Sequence, residues 1–190
     1  AMEIYSSALT KSKELDDKLW VGRSTRKIGI VHAIKGDDDK ALDYYKRALT
    51  IAEEIGDKRG MGSSLRNIGI VHGNKGDYET ALDYYGRSLK IREELDDKRG
   101  MGSSLRNIGI VHADKGDYSK ALDYYARSLA IQEEIDDKRG MGYSLNSIGN
   151  VHKNKGDYET ALDYYGRSLK IREEIDDKRG MGYSLNSIGN

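Results

Sequence analysis

The sequence repeats itself every 40 residues, and that period limits the fold before any other feature is weighed. The string Asp-Lys-Arg-Gly-Met-Gly begins at Asp57, Asp97, Asp137 and Asp177, and Lys-Gly-Asp begins at Lys35, Lys75, Lys115 and Lys155. Residues 155–180 match residues 75–100 at every position but one, where Ile175 stands in place of Leu95. Divergence this low fits recent duplication or deliberate design. A unit of this length buries too little surface alone, so the repeats are expected to stack and share one continuous core.

Each unit reads as two helices. Met61, Leu65, Ile68 and His72 fall at steps of 4, 3 and 4, which places them on one helical face. Asp57 stands where a helix cap belongs, the stretch stops at Lys75-Gly76-Asp77, and Asp77 is placed to cap the next helix. There Tyr78, Ala81, Leu82, Tyr85, Ser88 and Leu89 form the second stripe, continued by Ile91, Arg92 and Leu95. Proline is absent and nothing alternates at period 2, so the chain is expected to be all-α.

Composition narrows the partners. The 32 basic and 32 acidic residues cancel, which removes the electrostatic argument for nucleic acid or an anionic membrane surface. There is no cysteine, hence no disulfide and no thiolate metal site, and a reducing, cytoplasmic setting is expected. No apolar run approaches the ~18 residues of a membrane span, and the N-terminus carries no visible signal peptide.

The pattern Leu65, Ile68, Gly69, His72, Gly76, Tyr78, Ala81, Tyr85, Ser88 resembles the tetratricopeptide signature. Gly69 and Ala81 match the positions where that family's paired helices approach most closely, and Tyr85 stands where the family has a large aromatic. Leu65 replaces a common Trp, His72 a common Tyr and Ser88 a common Ala, and the terminal Pro is missing. The unit is also longer than the common ~34 residues. It looks more like the 40-residue variant of Pins-type scaffolds, kinesin light chains and bacterial signalling proteins. The resemblance implies a right-handed superhelical solenoid of antiparallel helix pairs, about ten helices in all. Full pairs are expected at 17–56, 57–96, 97–136 and 137–176, with a second helix alone at 1–16 and a first helix alone at 177–190.

The resemblance also implies a function: a protein–protein interaction scaffold holding a peptide or partner segment in a concave groove, without catalysis and without a cofactor. The groove positions carried over are Arg26, Lys27 and Ile30; Arg66, Asn67 and Ile70; Arg106, Asn107 and Ile110; and Tyr143, Asn146 and Asn150. Flanking positions of the same kind are Arg23, Ser63, Asn74, Ser103, Asp114, Ser147 and Asn154. Helical geometry supports part of this independently. Arg66 and Ile70 are four apart and share a face that is not the Leu65/Ile68 face. Repeated as Arg26/Ile30 and Arg106/Ile110, the pair makes a cationic ladder edged with apolar surface, suited to an acidic or carboxylate-bearing peptide. In the fourth unit the pair becomes Asn146/Asn150, suited to backbone amides. The bland alternative is a row of solvated positions drifting neutrally.

Other constellations read as structural. Gly60 and Gly62 open a helix beside Lys58 and Arg59, but no strand precedes them and no Gly-Lys-Ser/Thr follows, so close packing between repeats is expected rather than phosphate binding. His32, His72, His112 and His152 lie on the core stripe one repeat apart, so they cannot converge on a metal; each is expected to pack between its own two helices with one ring nitrogen bonded. Asp37-Asp38-Asp39 lacks a calcium loop's glycine and distal Glu and is read as a helix cap. The Glu53-Glu54 pair and its copies are read as solvated, and Tyr84 as a flank to the core Tyr85. With no polar cap at either end, a segment of a longer array is expected, and head-to-tail association into a homo-oligomer with it. The alternative function is accordingly a self-associating structural or designed module with no dedicated ligand.

Overall fold

Aspartate marks where the helices start. In the computed structural model, which describes residues 2–14 and 17–189, Asp57, Asp97, Asp137 and Asp177 accept from the backbone N–H of Gly60, Gly100, Gly140 and Gly180 at 3.0–3.2 Å. Each of these bonds satisfies an orphan donor of the first helical turn. Asp17, Asp77 and Asp157 do the same for Trp20, Thr80 and Thr160. Asp37 sits at a cap position but makes no side-chain cap bond; its carboxylate meets His32 Nδ1 at 3.1 Å instead.

The helices are α1 (Met2–Glu14), α2 (Lys18–Ile34), α3 (Asp38–Glu54), α4 (Lys58–Asn74), α5 (Tyr78–Glu94), α6 (Lys98–Asp114), α7 (Tyr118–Glu134), α8 (Lys138–Asn154), α9 (Tyr158–Glu174) and α10 (Lys178–Gly189). No strand occurs among the described residues, and no helix there is long and apolar enough to cross a membrane. Residues 1, 15, 16 and 190, which the sequence assigns to terminal helices, lie outside the described residues.

Two turns alternate. After each first helix, Lys-Gly-Asp reverses the chain: Gly76 has φ 78°, its N–H reaches the Gly73 carbonyl at 3.0 Å, and the Asp77 N–H reaches the His72 carbonyl at 2.9 Å. A residue with a Cβ is disfavoured at that left-handed position. After α3 the same left-handed position holds Gly56, and after α5, α7 and α9 it holds Asp96, Asp136 and Asp176, at φ 47–50°.

The chain forms two compact units, 1–96 and 97–190. In the first, α2 pairs with α3 and α4 with α5, while α1 packs on α2 and α3 on α4. In the second, α6 pairs with α7 and α8 with α9, while α7 packs on α8 and α9 on α10. Each unit is thus a stack of antiparallel helix pairs. The core of the first gathers Ala41 and Tyr45 of α3 with Ile68 and Val71 of α4; that of the second repeats it with Ala121, Tyr125, Ile148 and Val151.

Pairing depends on one glycine per repeat. A Cβ at Gly29, Gly109 or Gly149 would lie 2.6–2.7 Å from the ring of Tyr45, Tyr125 or Tyr165 on the paired helix. The tyrosine therefore occupies the space that a side chain would need. Ser88, Ser128 and Ser168, where the signature more often has Ala, each donate to a carbonyl across the pair (Gly62, Gly102, Gly142) at 2.8 Å.

The histidines complete the pair on the other side. Their rings stack on Tyr44, Tyr84, Tyr124 and Tyr164 at 5.3–5.7 Å, and Arg47, Arg87, Arg127 and Arg167 cover the same tyrosines at 4.9–5.3 Å. Nδ1 of His32, His72 and His152 meets an aspartate at 2.9–3.1 Å, as expected of one bonded ring nitrogen. His112 departs from this: Asp117 is 3.6 Å away and turns to Lys120 at 3.0 Å, leaving Nδ1 buried without a partner. The glutamate pairs are exposed, as expected, and Glu54, Glu94, Glu134 and Glu174 reach Lys18, Lys58, Lys98 and Lys138 at 2.7–3.5 Å on that surface.

Candidate functional site

The first helices of the pairs, α2, α4, α6, α8 and α10, carry the residues singled out for binding, and the structure distributes them unevenly. Arg26 is half-buried and lines a cavity of about 180 Å³ with Arg23, Ala48, Ala52, Asp57, Arg59 and Ser63. Burial lowers its pKa. In the first unit Arg26 and Arg66 both bear on Tyr45, and in the second Arg106 bears on Tyr125. Burial, opposed by those cations, pushes the Tyr45 hydroxyl up to about 12. Lys27 lies 5.3 Å from the Tyr5 ring of α1.

The isoleucines were expected outside the core stripe. Ile30 and Ile110 instead pack against the two core clusters, and Ile70 is half-buried as well, because the stripe of a close-packed pair is wider than the sequence spacing suggests. Asn67 and Asn107 are buried, at 6% and 5% exposure, and their Nδ2 groups have no hydrogen-bond partner.

Five of the singled-out residues do come together, the fifth being the flanking Ser147. Arg106, Tyr143, Asn146 and Asn150 line one cavity of about 480 Å³ in the second unit, with Ser147, Arg172, Arg179, Tyr183, Asn186 and Ser187. Its framework is polar and tied down. Asn146 donates to Ser187 Oγ and accepts from Ser184 Oγ, both at 3.2 Å, and the Tyr165 hydroxyl donates to Asn150 Oδ1 at 2.8 Å. The Arg106 and Arg172 guanidiniums lie 5.4 and 4.8 Å from the Tyr143 ring centroid, a cation–π arrangement that orients both. Arg179 reaches the Tyr183 hydroxyl at 3.4 Å. A second cavity of about 480 Å³, lined by Arg99, Ser103, Gln132, Asp137, Arg139 and Gly140, shares Arg106 and Tyr143 with the first.

Three family models for the tetratricopeptide repeat match the chain, at residues 28–59, 60–134 and 142–175, and together they span most of it. The chain belongs to the tetratricopeptide repeat family. No curated protein matches the sequence. Among solved structures, a Rap protein complexed with Competence and Sporulation Factor aligns with TM-score 0.88 at 19% identity, covering 99% of this chain and 56% of that one. BtubC (BKLC) from P. vanneervenii aligns with TM-score 0.76 at 23% identity, covering 92% and 72%. A putative kinesin light chain of Podospora anserina with nearly identical TPR-like repeats aligns with TM-score 0.67 at 11% identity, covering 87% and 82%. Identities this low establish a shared fold. The chain spans little more than half of the Rap protein.

Tetratricopeptide periodicity also explains what the sequence reading left out. Tyr183, Asn186 and Ser187 are the 40-residue copies of Tyr143, Asn146 and Ser147, so the repeat itself pointed to them. Arg172 lies on a second helix, outside the positions that the family resemblance brings to a groove. One signal was available: in nearly identical repeats, position 52/92/132/172 reads Ala, Arg, Gln, Arg. The paired glycines at the helix starts make its room, since a Cβ on Gly142 would lie 2.9 Å from Arg172 Nε and one on Gly180 2.5 Å from its Nη1.

Proposed function

We propose that the chain is an interaction scaffold that holds a segment of a partner protein along its first helices, anchored at the Arg106–Tyr143–Asn146–Asn150 cavity. The observation that carries this is the cavity itself: cations, amides and hydroxyls face one space, and hydrogen bonds and ring contacts hold them in place beforehand. Preorganised groups on rigid helices lose little entropy when a segment docks, and arginine with tyrosine is the usual make-up of an anchor. Cations and amides suit acidic side chains and peptide backbone, whereas no step of bond making is asked of them. The Rap protein of similar fold was solved with Competence and Sporulation Factor, which accords with binding. Within the first unit, Arg26 and Arg66 are the cations to which the same reading applies.

Panning a displayed random-peptide library against the full chain tests this. Enriched peptides are expected to bind with micromolar dissociation constants and to lose about tenfold or more in affinity with Tyr143→Ala, the loss of one anchor. No enrichment, or enriched peptides indifferent to Tyr143→Ala, would overturn the reading.

One further observation favours self-association as a second reading. Leu185 and Ile188 are 53% and 38% exposed, whereas their counterparts Leu145 and Ile148 are 1% and 5% exposed. A helix from a second copy would cover them. Sedimentation velocity showing one unchanging species up to high concentration would dismiss that reading.

A further inference from the structure

Arg172 is 1% exposed, and its Nε and Nη1 atoms have no hydrogen-bond partner. A buried guanidinium left in that state is a net cost to the fold, since no protein acceptor at Nε or Nη1 replaces the hydration lost there. The preceding repeat shows how the same slot is filled at no such cost. Gln132, 3% exposed, donates to Ser128 Oγ at 3.0 Å and accepts from Ser144 Oγ at 2.8 Å. Both serines recur around Arg172 as Ser168 and Ser184 and keep the same bonds as Ser128 and Ser144, to each other at 3.0 Å and from Ser168 to the Gly142 carbonyl, but neither reaches Nε or Nη1 of the guanidinium. The chain therefore contains a satisfied solution to this position and does not use it here.

The guanidinium borders the cavity that also holds Arg106 and Arg179, and no carboxylate lines that space. The neighbouring cavities are different. In the first full pair the equivalent position is Ala52, and Asp57 stands among the lining cations; in the second it is Arg92, which donates to Ser63 Oγ at 2.7 Å; around Gln132, Asp137 lies 3.5 Å from Arg99. Asp177, the copy of Asp137, lies outside the Arg172 cavity lining, 3.8 Å from Arg139, and acts on Arg172 and Arg179 from there. Three cations from α6, α9 and α10 thus share one space, two of them oriented by the same tyrosine ring.

A carboxylate would neutralise one of these charges and offer two oxygens. A phosphoryl group carries close to two charges at neutral pH and three terminal oxygens, and arginine meets it with paired donors. The amides of Asn146 and Asn150 and the hydroxyl of Ser147 border the same cavity, where a bare ion would have no use for them but a flanking peptide backbone would. We propose that this cavity receives a phosphoryl group carried on the partner segment, a phosphoserine or phosphothreonine, with Arg172, Arg106 and Arg179 as its ligands. The inference rests on the groove reading above and adds the modification that the groove requires.

The test uses the full chain and two immobilised peptide libraries, degenerate at flanking positions, with a central phosphoserine in one and serine in the other. Retention on the phosphoserine library is expected to exceed that on the serine library by about tenfold or more, the size of a gained charge-assisted bond pair. Arg172→Gln, a side chain that the fold already accommodates at 132, should keep the helical circular dichroism and lose that preference. Inorganic phosphate should compete only at concentrations far above those of a selected phosphopeptide. Equal retention on both libraries would overturn the phosphoryl inference while leaving the groove reading intact. Retention on neither would overturn both. A preference unmoved by Arg172→Gln would place the phosphoryl group elsewhere, and competition by inorganic phosphate at parity with the phosphopeptide would make a free anion the ligand; either result overturns the site as stated.

Discussion

At residue 52 the second helix of the first full pair carries alanine; at residue 172 the corresponding helix of the last full pair carries arginine. Around both, the framework is the same: a glycine on one helix receives a tyrosine from the other, at Gly29 and Tyr45 or at Gly149 and Tyr165. Alanine leaves a cavity of about 180 Å³ bordered by Arg23, Arg26, Arg59 and Asp57. Arginine fills its slot and brings a buried cation, with Nε and Nη1 lacking hydrogen-bond partners, to a cavity of about 480 Å³. Burial lowers the Arg172 pKa, with Tyr143, Asp177 and Tyr183 opposing, yet at any ordinary pH the group stays charged. The difference teaches that the framework fixes the pairing, while one buried position on the second helix sets what the groove can offer.

The comparison can be broken at its common part first. Tyr45→Ala and Tyr165→Ala should each cost about 3–5 kcal/mol in urea unfolding followed by circular dichroism, the range for emptying an aromatic site. Costs that differ widely between the two would show that the framework is not shared. The distinctive part comes next. Arg172→Gln should raise stability by about 1–3 kcal/mol, because it trades an unpartnered buried cation for the amide network seen at Gln132. A fall in stability would mean that the guanidinium is already satisfied, and the contrast with Ala52 would lose its meaning.

A smaller effect lies in the turns. Asp136→Gly should gain about 1 kcal/mol, since Asp136 holds φ 49° where Gly56 holds φ 67° without a Cβ. The reverse change, Gly56→Asp, should lose as much, and thermal melts of the two variants check both. The smallest concerns His112. Burial lowers its pKa, Lys120 and Lys115 add to that, and Asp117 opposes it. With the folded value below the ordinary ~6.5, the unfolded chain binds more protons, so stability from this group is present above ~6.5 and falls as the pH drops through it. His112→Gln should flatten the urea midpoint between pH ~7 and ~5.5; an unchanged slope would assign that acid sensitivity to other groups.

Much of this was legible in the chain. Asp57 as a helix start and Lys75-Gly76-Asp77 as a turn were readable because each depends on neighbours a few residues away, and Gly69 and Ala81 as points of close approach came with the family resemblance; that the Tyr85 ring is what fills the space at Gly69 was not. The site was legible in part. Arg106, Tyr143, Asn146 and Asn150 were picked out and share a cavity, whereas Ile30 and Ile110 turned out to lean on the core and Asn67 and Asn107 to be buried. A helical period tells which side a residue faces but not how much of that side a neighbouring helix covers.

That these residues form paired helices of a 40-residue tetratricopeptide array follows from the chain's local pattern, since periodicity, caps and turn glycines repeat without conflict. Only the tertiary structure decided which copies of a repeated residue bear charge into a shared space. Gln132 and Arg172 occupy equivalent positions, and what separates them is the set of acceptors that reaches each one from other helices. Hydrogen-bond satisfaction inside a packed stack is set by distances across helices, and a linear sequence does not contain those distances.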